Sequence, residues 1–164
     1  MLATMTEGQR HTLYQDACAI LRENGSAGAR LHRMCDYLRQ HVTSYDWVGF
    51  YVAVPGERTL VLGPFAGEPT EHLRIAFGQG VCGQAAEQER TVVVQDVSAE
   101  TNYLSCSVHV KSEIVVPVFD QGLVIGELDI DSHQREAFSD HDRPILQRLA
   151  AASVELVREI APVA

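Results

Sequence analysis

Two of the 4 cysteines lie where a thiol can take part in chemistry. Cys82 lies in a glycine-rich turn, residues 78–83, just before a predicted helix, and the amide dipoles at a helix N-terminus favour a thiolate. Cys106 lies in a polar loop near His109, and a histidine close to a thiol can lower its pKa. We expect both thiols to face one pocket; the alternative is two unrelated small residues.

Carboxylates alternate with apolar residues in the predicted strand at residues 127–131. Because successive side chains of a strand point to opposite faces, Glu127, Asp129 and Asp131 share one face. Three carboxylates in a row repel one another unless a cation lies among them. Glu113, at the start of the preceding strand, is expected to join them. Two interpretations stay open: a pocket for an ammonium group, or a solvated strand face.

Aromatic and apolar positions give the remaining candidates. Trp47 and Tyr51 are four residues apart on a predicted strand, so they share a face and either belong to the core or flank a small apolar group. Cys18 and Cys35 fall at apolar positions of predicted helices. We interpret them as small hydrophobic residues of a helix interface.

The glycine-rich turn also matches G-x-G-x-x-G, the dinucleotide-binding spacing. The helix after it is predicted to be about two turns long, whereas a parallel crossover normally needs a dozen or more residues. Glycines that permit a sharp turn are the favoured explanation. A zinc site is a further alternative, built from Cys82, Cys106, His72 and His109, but the sequence has neither a C-x-x-C pair nor a short histidine pair.

Periodicity and capping residues predict the elements that position these side chains. Thr6 with Gln9 is typical of a capping box, and Ser139 with Asp142 is expected to start a closing helix. Helices are predicted at about 6–23, 27–43 and 140–160, a short helix at 84–89, a loop at 96–110, and strands at 47–54, 59–65, 72–77, 91–95, 112–119 and 123–131, the last two joined as a hairpin. The chain is therefore predicted to be a single α+β domain over residues 1–164, with a largely antiparallel sheet at about 47–131 flanked by N- and C-terminal helices.

Composition limits the classes of partner. The 164 residues carry a formal net charge of -9, which argues against nucleic acid and against an anionic membrane surface. No apolar run approaches a membrane span, and the first residues lack the pattern of a secretory signal. We expect a cytoplasmic protein whose cysteines are reduced at rest.

Several motifs together resemble a known family. They are DWVGFY (46–51), LVLGPFAG (60–67), GQGVCG (78–83), QDV (95–97), the cysteine at 106, SEIVVPV (112–118) and GELDIDS (126–132). Over nearly its full length the chain resembles a GAF domain, and more narrowly the free methionine-(R)-sulfoxide reductases, which are stand-alone GAF domains. The sequence departs from that pattern at His72, where the family often has a third cysteine, and at Ser107, where it commonly has an aspartate.

The resemblance implies roles for individual residues. Cys106 corresponds to the attacking cysteine and Cys82 to the cysteine that resolves it. Glu113, Asp129 and Asp131 correspond to the carboxylates that hold the substrate's amino group. Trp47 and Tyr51 correspond to the aromatics that line its methyl-sulfoxide end.

The same resemblance implies an oxidoreductase that reduces free L-methionine (R)-S-oxide through sulfenic acid and disulfide chemistry. It implies recycling by an external dithiol such as thioredoxin, no resident cofactor or metal, and a homodimer. A non-catalytic GAF module that binds a small ligand or senses redox state is the alternative function.

Overall fold

Within residues 1–104 and 108–163, the part of the chain that this computed structural model describes, six strands form one antiparallel sheet. They are β1 (Trp47–Ala53), β2 (Thr59–Ala66), β3 (Arg74–Ala76), β4 (Val92–Val94), β5 (Ser112–Asp120) and β6 (Leu123–Ser132). Across the sheet they lie in the order β3-β2-β1-β6-β5-β4. The long strands β1, β6 and β5 therefore occupy the centre, and an antiparallel sheet with terminal helices is confirmed.

Four helices cover one face of this sheet: α1 (Glu7–Leu21), α2 (Ala27–His41), α4 (Asp142–Ala152) and α5 (Val154–Ile160). The predicted capping box starts α1, since Gln9 N donates to Thr6 Oγ1 and Thr6 N donates back to Gln9 Oε1. Apolar side chains of all four helices form one core with the side chains of β1, β5 and β6 that point to this face, among them Leu128 and Ile130. None of the described helices has the length and apolar character needed to cross a membrane.

The opposite face carries a smaller apolar cluster under helix α3 (Gly80–Gln88). It includes Val81, Ala85 and Ala86 of α3, with Trp47 and Tyr51 of β1 beneath them. The chain runs from β3 through α3 to β4, which are the two opposite edges of the sheet. The interpretation of residues 78–83 as a dinucleotide-binding turn is therefore excluded, because α3 does not connect neighbouring parallel strands.

Two helices differ from the prediction. Helix α3 begins at Gly80 rather than at residue 84, because Gly83 N already donates to Gln79 O at 3.0 Å, the i to i−4 bond of a helix. The closing helix is two helices, α4 and α5, that meet at Ser153. There the backbone N–H of Ser153 bonds to Ala150 O and its hydroxyl to Leu149 O, so the regular ladder is interrupted.

The predicted hairpin between β5 and β6 turns at Gln121 and Gly122, which both have positive φ, 51° and 82°. Two consecutive residues in this region define the tight turn whose twist matches that of the flanking strands. The turn fixes the register of β5 against β6, and this register in turn decides which carboxylates meet.

Candidate functional site

Strand register brings four carboxylates to the face of the sheet that α3 covers. Glu127, Asp129 and Asp131 alternate along β6, as predicted, while Leu128 and Ile130 enter the helical core. Glu113 of β5 pairs directly with Asp131. The sequence analysis placed Glu127 on this face but did not select it as a site residue.

All four residues are buried, and only 0 to 3% of the surface of each is exposed. The interpretation of these carboxylates as a solvated strand face is therefore excluded. No described Lys, Arg or His forms an ion pair with Glu113, Glu127 or Asp129. The oxygens of Glu127 and Asp129 receive no hydrogen bond at normal distance from residues 1–104 and 108–163. Buried carboxylates without such partners are costly, so this group favours a cation.

Burial and mutual repulsion raise the pKa of the buried carboxyl groups. For Glu113, burial raises the pKa well above its usual range, and the charges of Asp129 and Asp131 raise it further. Burial, followed by the charge of Asp129, does the same to Glu127, although the Cys82 thiol acts in the opposite direction. Burial raises the pKa of Asp129 to about 6, with Glu113 and Cys82 opposing the rise. The carboxyl groups therefore hold protons more tightly than exposed ones, unless a cation replaces those protons.

Cys82 lies in the first turn of α3 and points at the carboxylates. Its thiol donates to Glu113 Oε1 at 3.8 Å, and its residue is buried. Donor atoms of Cys82, Glu113 and Asp129 all lie within 4.8 Å of one another. Among the described residues this is the group close enough to share one metal ion, and the histidines His72 and His109 of the predicted zinc set are not part of it.

Trp47 and Tyr51 lie side by side on this face, with ring centroids 6.3 Å apart. Trp47 Nε1 donates to Glu68 O at 3.0 Å, and the Tyr51 hydroxyl donates to His72 O at 2.9 Å. Between them Gly49 leaves room for the indole, because a Cβ there would lie 2.4 Å from a Trp47 ring atom. The absent side chain lets the indole lie flat along the strand, next to the carboxylates.

Phe65 of β2 extends this aromatic wall, with its ring centroid 5.4 Å from that of Trp47. The sequence analysis missed Phe65. Its signal is its place in β2, where the register pairs it with Gly49 of β1.

Asn102 connects the segment after β4 to the start of α3 through hydrogen bonds. Its side-chain oxygen accepts from Gly80 N at 2.9 Å, and its side-chain nitrogen donates to Gly78 O at 2.8 Å. Gln84 Nε2 donates to its backbone carbonyl at 3.1 Å. Sequence reasoning missed this residue, although an amide-bearing loop near a glycine turn with free backbone N–H groups is the signal that could have found it.

A small cavity of about 10 Å³ lies between these elements. Its lining is shared by β1, β3, β5, β6, the start of α3 and nearby loop segments. The residues are Tyr51, His72, Ile75, Gln79, Gly80, Val81, Cys82, Leu104, Glu113 and Asp129. His72, at the position where the resembled family often has a cysteine, thus borders the same space as Cys82. Cys106 and Ser107 lie outside the described residues, so the predicted attacking thiol has no position here.

The other two cysteines lie on the opposite face of the sheet from the candidate site. Cys18 and Cys35 are buried in the helical core between α1, α2 and the sheet, which confirms their interpretation as small hydrophobic residues. Burial raises the pKa of the Cys35 thiol well above its ordinary value, so this thiol stays protonated.

A family model for the GAF domain matches residues 13–154. The chain is 35% identical over 139 residues to the free methionine-R-sulfoxide reductase of Escherichia coli (strain K12), a match that covers 85% of this chain and 82% of that one. The chain belongs to the GAF family, within the free methionine-R-sulfoxide reductases. The resemblance and the α+β fold class expected from the sequence are both confirmed.

Other relatives agree with this assignment. The free methionine-R-sulfoxide reductase of Saccharomyces cerevisiae is 42% identical over 107 residues, which cover 64% of this chain and 59% of that protein. The structure of the Neisseria meningitidis enzyme in complex with its substrate has a TM-score of 0.86 and 33% identity, covering 95% of this chain and 93% of that one. In three curated relatives of 40 to 44% identity, the match spans 59 to 66% of the relative's own length.

Proposed function

We propose that this chain reduces the free amino acid L-methionine (R)-S-oxide to L-methionine. The observation that carries the proposal is the group of buried carboxylates beside the Cys82 thiol, in which Glu113, Glu127 and Asp129 form no ion pair with a described Lys, Arg or His. A free amino acid supplies a compact ammonium group, which is a donor that Glu127 and Asp129 lack among the described residues. The proposal is supported by family membership and by the Escherichia coli and Neisseria meningitidis proteins, which carry this activity in their names.

In the proposed complex, Glu113, Asp129 and Asp131 bind the ammonium group. Glu127 adds a fourth negative charge to the same face, so the field at the ammonium comes from both β5 and β6. Trp47 and Tyr51 contact the methyl-sulfoxide end, since their rings lie on the same strand face as the carboxylates. This arrangement gives one pocket with a charged end and an aromatic end.

The proposed reaction divides the two electrons of the reduction between two thiols. The Cys106 thiolate attacks the sulfoxide sulfur, the oxygen is protonated and transferred, and methionine leaves while Cys106 becomes a sulfenic acid. The Cys82 thiolate then attacks the sulfenic sulfur, water leaves, and a disulfide between Cys82 and Cys106 remains. Glu113, whose oxygen already accepts from the Cys82 thiol, is the group that takes the proton from Cys82.

An external dithiol completes the cycle in this proposal. Thioredoxin is the proposed reductant, which transfers two electrons to the disulfide by thiol–disulfide exchange and needs no resident cofactor. A cytoplasmic place of action is part of the proposal, and the net charge of -9 agrees with a protein that avoids nucleic acid and anionic membranes. A homodimer is likewise proposed from the family resemblance.

A thioredoxin-coupled NADPH assay tests the proposal with four substrates: free (R) and (S) epimers of methionine sulfoxide and their N-acetyl derivatives. An N-acetyl nitrogen is an uncharged amide, so it leaves the buried carboxylates unpaired. Removing one partner of a buried pair costs about 3–5 kcal/mol, and a tenfold change takes about 1.4 kcal/mol. We therefore expect turnover of the free (R) epimer and at least about 100-fold lower kcat/KM for its N-acetyl form.

Two variants test whether Glu113 causes the preference for the free amino acid. Glu113→Gln should reduce the preference for the free amino acid, whereas Glu159→Gln, on an exposed site of α5, should not. No turnover of the free (R) epimer by the parent protein, together with binding of another small molecule, would favour the non-catalytic ligand-binding alternative. Equal rates on free and N-acetyl substrates would exclude recognition by the carboxylates.

A further inference from the structure

Three buried side chains on the site face combine a thiol with two carboxylates. Sγ of Cys82 lies 3.8 Å from Oε1 of Glu113, and donor atoms of both lie within 4.8 Å of an oxygen of Asp129. A thiolate together with carboxylate oxygens is a donor set that binds zinc in proteins. The donors come from α3, β5 and β6, so the packing of helix on sheet holds them in place before any ligand arrives.

Glu127 is an independent indication that a cation belongs here. It is fully buried, and neither of its carboxylate oxygens receives a hydrogen bond at normal distance from the described residues. It lies two residues from Asp129 on the same strand face and close enough to Cys82 for the thiol to affect its pKa. A buried carboxylate without a donor is costly, and a metal ion removes that cost.

The spacing fits a small ion with tetrahedral geometry. A zinc ion at about 2.3 Å from sulfur and about 2.1 Å from oxygen sets the S···O distance at about 3.6 Å. The Cys82–Glu113 distance is 3.8 Å, so this edge is almost preformed, and an oxygen of Asp129 lies within 4.8 Å of both donors. A thiol in the donor set favours zinc over calcium and magnesium, which take oxygen ligands.

We propose that the reduced protein binds one Zn²⁺ ion through Cys82, Glu113 and Asp129, with the carboxylate of Glu127 beside this ligand set. The ion uses the carboxylates that the proposed function assigns to the substrate's ammonium group, so zinc and free methionine sulfoxide exclude each other. This exclusion rests on the proposed function, whereas zinc binding itself does not. Zinc would thereby act as a reversible inhibitor that also keeps Cys82 from forming a disulfide.

Metal binding is measured on the reduced, chelator-washed protein by competition with a chromophoric zinc chelator. We expect one ion per chain, with affinity that falls as the pH is lowered, because the ligands must lose their protons. Loss of an outer-shell partner weakens metal binding by roughly 10- to 100-fold. Cys82→Ser and Asp129→Asn each remove a direct ligand and should weaken zinc binding by at least that factor. Cobalt(II) provides a second readout, since a bound thiolate gives a charge-transfer band that Cys82→Ser should abolish.

Cys18→Ser, in the helical core on the other face of the sheet, is the matched thiol control and should bind zinc like the parent protein. The proposal is overturned if the parent binds no zinc, if Cys82→Ser binds as tightly as the parent, or if Mg²⁺ displaces zinc at equal concentration. Competition is tested separately, by adding free methionine sulfoxide to the zinc-loaded protein. Zinc binding without competition would contradict a site shared by zinc and substrate. The reductase activity is assayed separately, in the presence of a chelator, so its outcome does not depend on zinc.

Discussion

Replacing Asp129 by asparagine is expected to stabilise the ligand-free protein at neutral pH while it impairs substrate binding. Asp129 is fully buried, and its oxygens receive no hydrogen bond at normal distance from the part of the chain that the structure describes. An asparagine of the same shape carries no charge. Its amide can also donate to the neighbouring carboxylate of Glu127, which receives no hydrogen bond at normal distance from the described residues.

The magnitude follows from the pKa of Asp129. In the unfolded chain this carboxyl titrates near 3.8, and burial raises its pKa to about 6 in the folded protein. At 1.36 kcal/mol for each pKa unit, this difference corresponds to about 3 kcal/mol. Between these two pH values the folded state binds the proton more tightly, so stability falls as the pH rises from 3.8 to 6. Above pH 6 the full cost is present, and Asp129→Asn removes it.

Urea unfolding measured from pH 4 to 8, with a chelator and without substrate, provides the assay. At pH 7.5, Asp129→Asn should gain up to about 3 kcal/mol, which is roughly 6–12 °C in Tm for a chain of this size. The gain should shrink as the pH is lowered and vanish near pH 4. Asp140→Asn, at an exposed position before α4, is the matched control and should change stability by less than about 0.5 kcal/mol.

An Asp129→Asn protein that is no more stable than the parent at pH 7.5 would refute this reasoning. A gain that is equal at pH 4 and pH 8 would also refute it, because the effect would then have no connection with ionisation. In either case the cluster would already be compensated within the protein. The case for a cationic ligand, whether ammonium or zinc, would then lose its energetic basis.

Three further results are expected. Cys106→Ser should abolish methionine formation, whereas Cys82→Ser should release about one methionine per chain and then stop with Cys106 as a sulfenic acid. Rapid quench and mass spectrometry measure both, and the opposite pattern would show that the roles of the two cysteines are reversed. Asn102→Ala should lower stability by about 1–3 kcal/mol, because the hydrogen bonds to Gly80 N and Gly78 O are both lost, and should reduce kcat/KM. The exposed Asn24→Ala is its control, and equal urea midpoints would contradict the anchoring role. Light scattering should find a homodimer, and monomers alone at micromolar concentration would contradict it.

The alternation of side chains along strands was enough to predict which residues share a face. Glu127, Asp129 and Asp131 lie together because a strand has a period of two, and Trp47 and Tyr51 lie together for the same reason. Burial of the carboxylates could not be predicted in this way. It depends on α3 crossing over the sheet, and the predicted start of that helix, residue 84, lies four residues after its actual start at Gly80.

Contacts between segments distant in the sequence were also missed. Asn102 meets the turn at Gly78 and Gly80 only because the segment after β4 returns across the start of α3. The break at Ser153 depends on a single hydroxyl that bonds to the preceding turn, a choice that apolar periodicity does not reveal. The placement of Cys106 relative to Cys82 stays a prediction, because residues 105–107 lie outside the described part of the chain.

The two faces of the sheet have covers of unequal thickness, and this has a consequence for hydrogen exchange. Four helices and a large apolar core protect one side, whereas the nine-residue α3 and a smaller cluster protect the other. Regions with fewer buried contacts open locally at a lower free energy than global unfolding. Amide protons in the second turn of α3 should therefore exchange well before those of β6, without loss of the helical layer. The side of the sheet that must admit a ligand is thus the side whose covering helix, α3, can open while the rest of the fold stays intact.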